Sequence, residues 1–409
     1  MNLLLVLAAV GFPARAGAGA MAMLAAPEPG TGSAARHGKK SPHVTLFLAG
    51  DVMTGRGIDQ VLPHPGDPQL HETFMKSALG YVELAEDVNG PIPRPVPFSY
   101  IWGDALAVLE RVAPDARIIN LETAVTTSGD HLRGKGIHYR MHPRNAPVLS
   151  AARLDVCSLA NNHVLDWGYA GLLETLATLR AAGIRTTGAG RDLAEAERPA
   201  VVDLPGGTRV LVFAHGSPSS GIPPEWAATS HRAGVNLLHD FSDASVDRIA
   251  AAVRRVKRPG DIAVASIHWG ANWGYAVPPE HVSFAHRLID RAGIDVVHGH
   301  SSHHPKGMEV HAGKLVIYGA GDLINDYEGI GGYEAYRGDL SILYFARVDT
   351  ASGRLLELRM VPMRMVRMRL EHASSKDAAW LRATLDRESR RFGTRVETAP
   401  DGELALRGD

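Results

Sequence analysis

The 409-residue chain has one cysteine, Cys157, so no disulfide can close within it and no thiolate metal centre can be built. That cysteine lies in Leu154-Asp-Val-Cys-Ser-Leu159, where a thiol reads as a small buried hydrophobe. An excess of charge of either sign is also missing. With 43 Lys and Arg against 44 Asp and Glu, the net charge is −1, which excludes the broad basic field that nucleic-acid binders rely on. No nucleic-acid partner is expected. Beyond the N-terminus no apolar run is long enough to span a bilayer. What remains is a globular composition, 45% hydrophobic and 21% charged, in a chain long enough for one large or two ordinary domains.

The first 41 residues read as a signal-like segment and a flexible linker. Leu3-Leu-Leu-Val-Leu-Ala-Ala-Val10 is a short apolar core, Ala14-Arg-Ala16 and Ala18-Gly-Ala20 resemble small-residue cleavage sites, and Pro, Gly, Ser and Ala then dominate to Ser41. Export is the expectation, with a cytoplasmic location as the alternative. Residues 42–348 read as the main domain, and 349–409 as a small α+β extension of strands and a helix packed on it.

Within the main domain, apolar runs repeatedly end in residues able to bind a metal. Val44-Thr-Leu-Phe-Leu-Ala49 leads into Gly50-Asp51, and Arg117-Ile-Ile119 into Asn120-Leu-Glu122. Asp155 to Leu159 leads into Asn161-Asn-His163, and Asp261-Ile-Ala-Val-Ala-Ser-Ile267 into His268-Trp-Gly270. Ile294-Asp-Val-Val297 delivers His298-Gly-His-Ser-Ser-His-His304, whose imidazoles form the densest cluster in the chain. Each has an ordinary structural reading taken singly: Asp51 as a helix cap, Asn162 as an Asx turn, a histidine as a satisfied core residue. Their recurrence at strand ends points to one shared site, because ligands of α/β sheets bind at the carboxyl ends of strands. Mixed oxygen and imidazole donors suit zinc, manganese or iron better than calcium. Two adjacent ions would activate water and polarise a phosphoryl or acyl group.

Between these strands, helical spacing appears at 103–112, from Leu172 to Gly183, at 244–256, 279–292 and 378–392. Residues 62–97, rich in proline, read as a loop or lid. The polar stretch 126–143 carries Lys135, His138, Arg140 and His142, which could hold an anionic substrate or simply be solvated. Strands alternating with helices and followed by further strands indicate an α/β class with mixed sheets covered by helices.

Gly50-Asp-Val-Met-Thr-Gly-Arg56, Asn120-Leu-Glu122, Asn161-Asn-His163, His268-Trp-Gly270 and Gly299-His-Ser-Ser-His303, in this order, resemble the capsule-synthesis CapA/PgsA family. That family belongs to the calcineurin-like metallophosphoesterase superfamily and is associated with poly-γ-glutamate capsules. The resemblance implies a two-sheet α/β/β/α sandwich flanked by helices. It also implies a site of two divalent ions, with Asp51 on the first, Glu122 bridging, Asn162 and His268 on the second, and His300 and His303 completing the set. His163 would be the acid that protonates a leaving group; Arg56, Asn120, Arg140 and Asp322 would support the ligands or contact substrate. The implied partners are an anionic polymer or phosphoester substrate and capsule-synthesis membrane proteins. Three residues depart from the superfamily pattern: Met53 stands where a histidine ligand is usual, Glu122 replaces an aspartate, and Ser301 occupies a common histidine position. The resemblance therefore implies a metal-dependent phosphoesterase-like protein, with a non-catalytic assembly or polymer-binding subunit as the alternative.

Overall fold

A computed structural model describes residues 42–408. The signal-like segment expected at 1–41 lies outside the described residues. Two sheets face each other. The larger has ten strands, and its central path runs 394–398, 404–408, 355–366, 340–349, 43–52, 116–121, 156–158, 185–187. A short strand, Asp322–Ile324, pairs in parallel with the first strand at Asp51. The smaller sheet has six strands in the order 308–311, 314–317, 296–300, 262–268, 209–216, 200–203. Its four central strands are parallel and both edges antiparallel.

Alternation of side chains along these strands sorts the core into layers. Val44, Leu46 and Leu48 of the larger sheet pack against Val210, Val212, Ile262 and Val264 of the smaller one. The outward-facing Phe47, Ala49 and Ile119 meet residues of the helices Leu79–Asn89, Ala105–Val112 and Gly168–Ala181. On the far side Leu211, Phe213, Ala263 and Ala265 are covered by the helices Asp243–Val256 and Pro279–Ala292. The result is a helix, sheet, sheet, helix sandwich. Parallel strands buried on both faces explain why Ile262 to Ile267 reads as a continuous apolar run.

Two local expectations are corrected. The stretch 62–97 is not all loop: Leu79–Asn89 is a helix that buries Tyr81, Val82 and Ala85. The strand read as ending at His298 continues through His300, so His300 is a strand residue as well. Gly299 permits this, since a Cβ there would stand 2.6 Å from the Tyr318 carbonyl oxygen. The boundary drawn after residue 348 falls at the end of the strand Leu340–Asp349, and the strands after it hydrogen-bond into the larger sheet.

Candidate metal centre

The carboxyl ends of both sheets meet at one place. Parallel pairing puts Asp51 beside Asn120 and beside Asp322 in the larger sheet, and His268 beside His300 in the smaller. Ligand atoms of Asp51, His268 and His300 lie within 4.8 Å of one another, and so do those of Glu122, His303 and Asp322. All six residues are buried. In the first group, Asp51 Oδ1 is 3.8 Å from Nδ1 of each histidine, and the two Nδ1 atoms are 2.8 Å apart. His303 Nδ1 lies 3.0 Å from Asp322 Oδ1 in the second. His268 joins the groups, because its Nε2 faces Glu122 Oε1 at 3.7 Å and the Asn162 side-chain oxygen at 3.1 Å.

Surrounding donors fix these groups. The Asn120 amide donates to Asp51 Oδ1 at 2.6 Å, and Asn161 donates in turn to Asn120 Oδ1 at 3.2 Å. The Ser301 N–H donates to Asp51 Oδ2 at 3.0 Å. Ser266 Oγ lies 2.9 Å from His300 Nε2, which turns the other ring nitrogen toward Asp51.

Three carboxylates in so small a volume repel one another. Burial, and then Asp322, pushes the Asp51 carboxyl up to about 7. Burial, followed by Asp51 and Asp322, holds Glu122 well above its usual range. Burial pulls His268 and His300 well down, leaving neutral imidazoles suited to ligation. Burial also opposes a charge on His303, but the charge and hydrogen bond of Asp322, with the charge of Asp51, together outweigh it and raise that imidazole. Buried acids made unfavourable by their own neighbours, beside neutral imidazoles, are the donor set a divalent cation fits.

Next to these two groups stands His163. Its Nδ1 lies 2.6 Å from Asp166 Oδ2, so the ring proton is assigned there and Nε2 faces Glu122 at 4.0 Å. Tyr139 stacks on the ring at 3.9 Å between centroids. Burial, with the Lys135 charge adding to it, draws the imidazole down to about 4. Lys135 pairs with Asp166 and holds the Asn162 carbonyl oxygen. A cavity of about 720 Å³ opens over this corner, lined among others by Lys135, His163, Trp273, His303, Tyr327 and Tyr333.

Comparison with known proteins bears on the residue pattern. The profile of bacterial capsule synthesis protein PGA_cap matches residues 45–327. The chain belongs to the PGA_cap family. It is 56% identical over 364 residues to a probable polyglutamine synthesis accessory protein of Mycobacterium tuberculosis, covering 89% of this chain and 96% of that one. The capsule biosynthesis protein CapA of Bacillus anthracis is 23% identical over 290 residues, 70% of this chain and 61% of that protein. PGA biosynthesis protein CapA of Bacillus subtilis is 24% identical over 284 residues, 69% and 63% of the two chains. A solved phosphatase structure from Mycoplasma pneumoniae overlays with a TM-score of 0.41 at 11% identity, over 79% of this chain and 94% of that one, a likeness too slight to argue from.

For this PGA_cap chain, the side chains of Asp51, Glu122, Asn162, His163, His268, His300 and His303 all come to one corner. Their grouping differs from the expected one: His268 sits with Asp51 and His300, and Asp322, expected in a supporting role, offers a ligand atom beside Glu122 and His303. Arg140 is corrected. It does not line the cavity, because its guanidinium stacks on Trp167 at 3.9 Å and donates to the Ser128 and Asp67 carbonyl oxygens. Arg56 reaches the cavity wall, yet its charge is held by Asp326 and Glu72.

Asp166 and Lys135 were not singled out with His163. The signal for Asp166 was its place three residues after His163; Lys135 comes from a loop that spacing alone cannot orient. Ser301 acts through its backbone N–H, in a backbone with φ of 101°. Met53 is buried core, its sulfur accepting from the Gly55 N–H at 3.2 Å.

Proposed function

We propose that this protein is a metal-dependent hydrolase of the capsule-synthesis family, acting on a phosphoester or on an amide-linked anionic polymer. The convergence of Asp51, His268 and His300 with Glu122, His303 and Asp322 under an open cavity carries this reading. On this reading Asp51, His268 and His300 would hold one ion and Glu122, His303 and Asp322 the other, with Asn162 facing the shared His268. Bound there, the ions would supply a Lewis acid for the scissile group and lower the pKa of a water. The chain's own contribution is positional. Asn120 and the Ser301 N–H orient Asp51, Ser266 orients His300, and Asp166 holds His163 with Nε2 toward the cavity. His163 moves the proton to the leaving group, its proton affinity restored by the negative charge of a bound substrate.

Metal analysis of the purified protein, with turnover of a phosphodiester and γ-glutamyl peptide panel, tests the reading. Glu122→Gln and His268→Ala are expected to lose the metal of this centre together with activity; full hydrolysis by metal-free protein would sink it. A second reading is a non-catalytic accessory subunit that binds polymer or capsule-synthesis membrane proteins. The place of Met53 in the core, with no imidazole where the superfamily uses one, favours it. Tight poly-γ-glutamate binding by protein that holds no metal would establish that alternative.

A further inference from the structure

A second group of metal-ligand side chains lies away from the capsule-family site, on the outer edge of the smaller sheet. His286 and Asp290 are one turn apart on the helix Pro279–Ala292, and Glu309 and His311 are two residues apart on the edge strand Met308–His311. Those spacings put each pair on one face of its element. The contacts run crosswise between the elements. His286 Nε2 is 2.9 Å from Glu309 Oε1, and His311 Nε2 is 3.0 Å from both carboxylate oxygens of Asp290. The imidazole rings stack at 3.8 Å between centroids with an interplanar angle of 7°. One ligand atom from each of His286, Glu309 and His311 lies within 4.8 Å of the others.

The crosswise contacts thus bring two imidazole nitrogens and a carboxylate oxygen from two different elements into one small volume, a donor set that a single divalent cation can share. The second oxygen of Glu309 accepts from the Tyr318 hydroxyl at 2.5 Å, which fixes the carboxylate while leaving Oε1 toward His286. The histidine side chains are about a quarter exposed, 30% and 24%, so an ion can reach them. Two imidazoles and one carboxylate, without thiolate, match the three protein ligands of a zinc site whose fourth position is taken by water.

We propose that His286, Glu309 and His311 bind a zinc ion that staples the helix to the edge strand, with Asp290 beside His311 as an outer carboxylate. The stapled elements bracket the chain segment that carries His300 and His303. The ion thus clamps both flanks of the segment that feeds the capsule-family site, and it closes a sheet edge.

The test uses the full chain, stripped with chelator, reloaded with zinc chloride, desalted and analysed for bound metal. Wild type is expected to hold one zinc more than His311→Ala or His286→Gln, and Glu122→Gln is expected to keep that extra ion. Equal stoichiometry in wild type and both histidine variants would overturn the proposal. Should His311→Ala not fold, the near-isosteric His286→Gln gives the same reading. Cobalt(II) loading gives a second one: visible absorption of four-coordinate cobalt is expected in Glu122→Gln and lost in Glu122→Gln/His311→Ala. Its absence from Glu122→Gln would equally overturn the assignment.

Discussion

Met53, where the resemblance implies a histidine, has a structural role of its own. Its side chain is 1% exposed and its sulfur receives the Gly55 N–H, so it serves the turn after the first strand. Met53→Leu keeps the volume but leaves that N–H without an acceptor. The expected cost is about 1–3 kcal/mol in urea denaturation, with bound metal unchanged; loss of a metal equivalent would make Met53 a ligand after all. Gly50, inside the first strand, is fixed by a close approach of backbone. A Cβ there would stand 1.8 Å from the Gly321 carbonyl oxygen, so the glycine exists to let the strand Asp322–Ile324 lie against Asp51. Gly50→Ala is expected to abolish soluble folded protein, whereas Gly129→Ala, with open space around it, is expected to be neutral by circular dichroism. Ser301 could not have been read from sequence, because its contribution is a backbone N–H aimed by a positive φ. Asp166 was within reach of sequence reasoning. Asp166→Asn is expected to lower turnover by about 10²-fold or more while leaving metal content intact, since it removes the group that sets the His163 tautomer; an unchanged rate would remove His163 from the chemistry.

At the scale of elements, hydrophobic period made the long helices and parallel strands readable, and it failed where proline obscured it. The helix Leu79–Asn89 carries its apolar positions Tyr81, Val82 and Ala85 in a segment crowded with prolines on both sides, so the stripe was lost in the loop. The helix Pro279–Ala292 was read in full, but the burial of His281 on its inner face was not. That ring stacks on Trp269 at 4.6 Å and meets Phe241 edge-on, and its Nε2 has no hydrogen-bond partner. Burial, with Lys306 nearby, draws its pKa down to about 4 from 6.5. Between those values the unfolded chain binds a proton that the folded chain refuses, so stability falls as pH drops through this window and levels off below it. The contribution is about 1.4 kcal/mol per pH unit at most. His281→Phe keeps the ring stack and removes the proton. The difference in unfolding free energy between variant and wild type is expected to widen in the variant's favour from pH 6.5 to about 4; a constant difference would show that His281 titrates normally.

Across the whole molecule, the two-sheet sandwich was implied by the family resemblance, while mixed sheets covered by helices and the gathering of strand-end motifs were foreseeable from the alternation of apolar runs with helices. The partition of ligands was not, since it depends on how two sheets are set against each other. The larger sheet supplies Asp51 and Asp322, with Glu122 just past one of its strand ends, while the smaller supplies His268 and His300. Ions at this corner would therefore cross-link the two layers, and an ion bound only by the folded chain adds stability as its concentration rises. Loading manganese or zinc at about 100 times the dissociation constant should stabilise the fold by about 2.7 kcal/mol. The measurement is thermal unfolding against metal concentration in the His311→Ala background, which removes the edge-strand site from the comparison. His300→Ala and Glu122→Gln, each drawn from a different group, are expected to lose most of the shift, and chelator to reverse it. If both variants kept the full shift in that background, the stabilising ion would have to sit elsewhere and the corner would not join the sheets through metal.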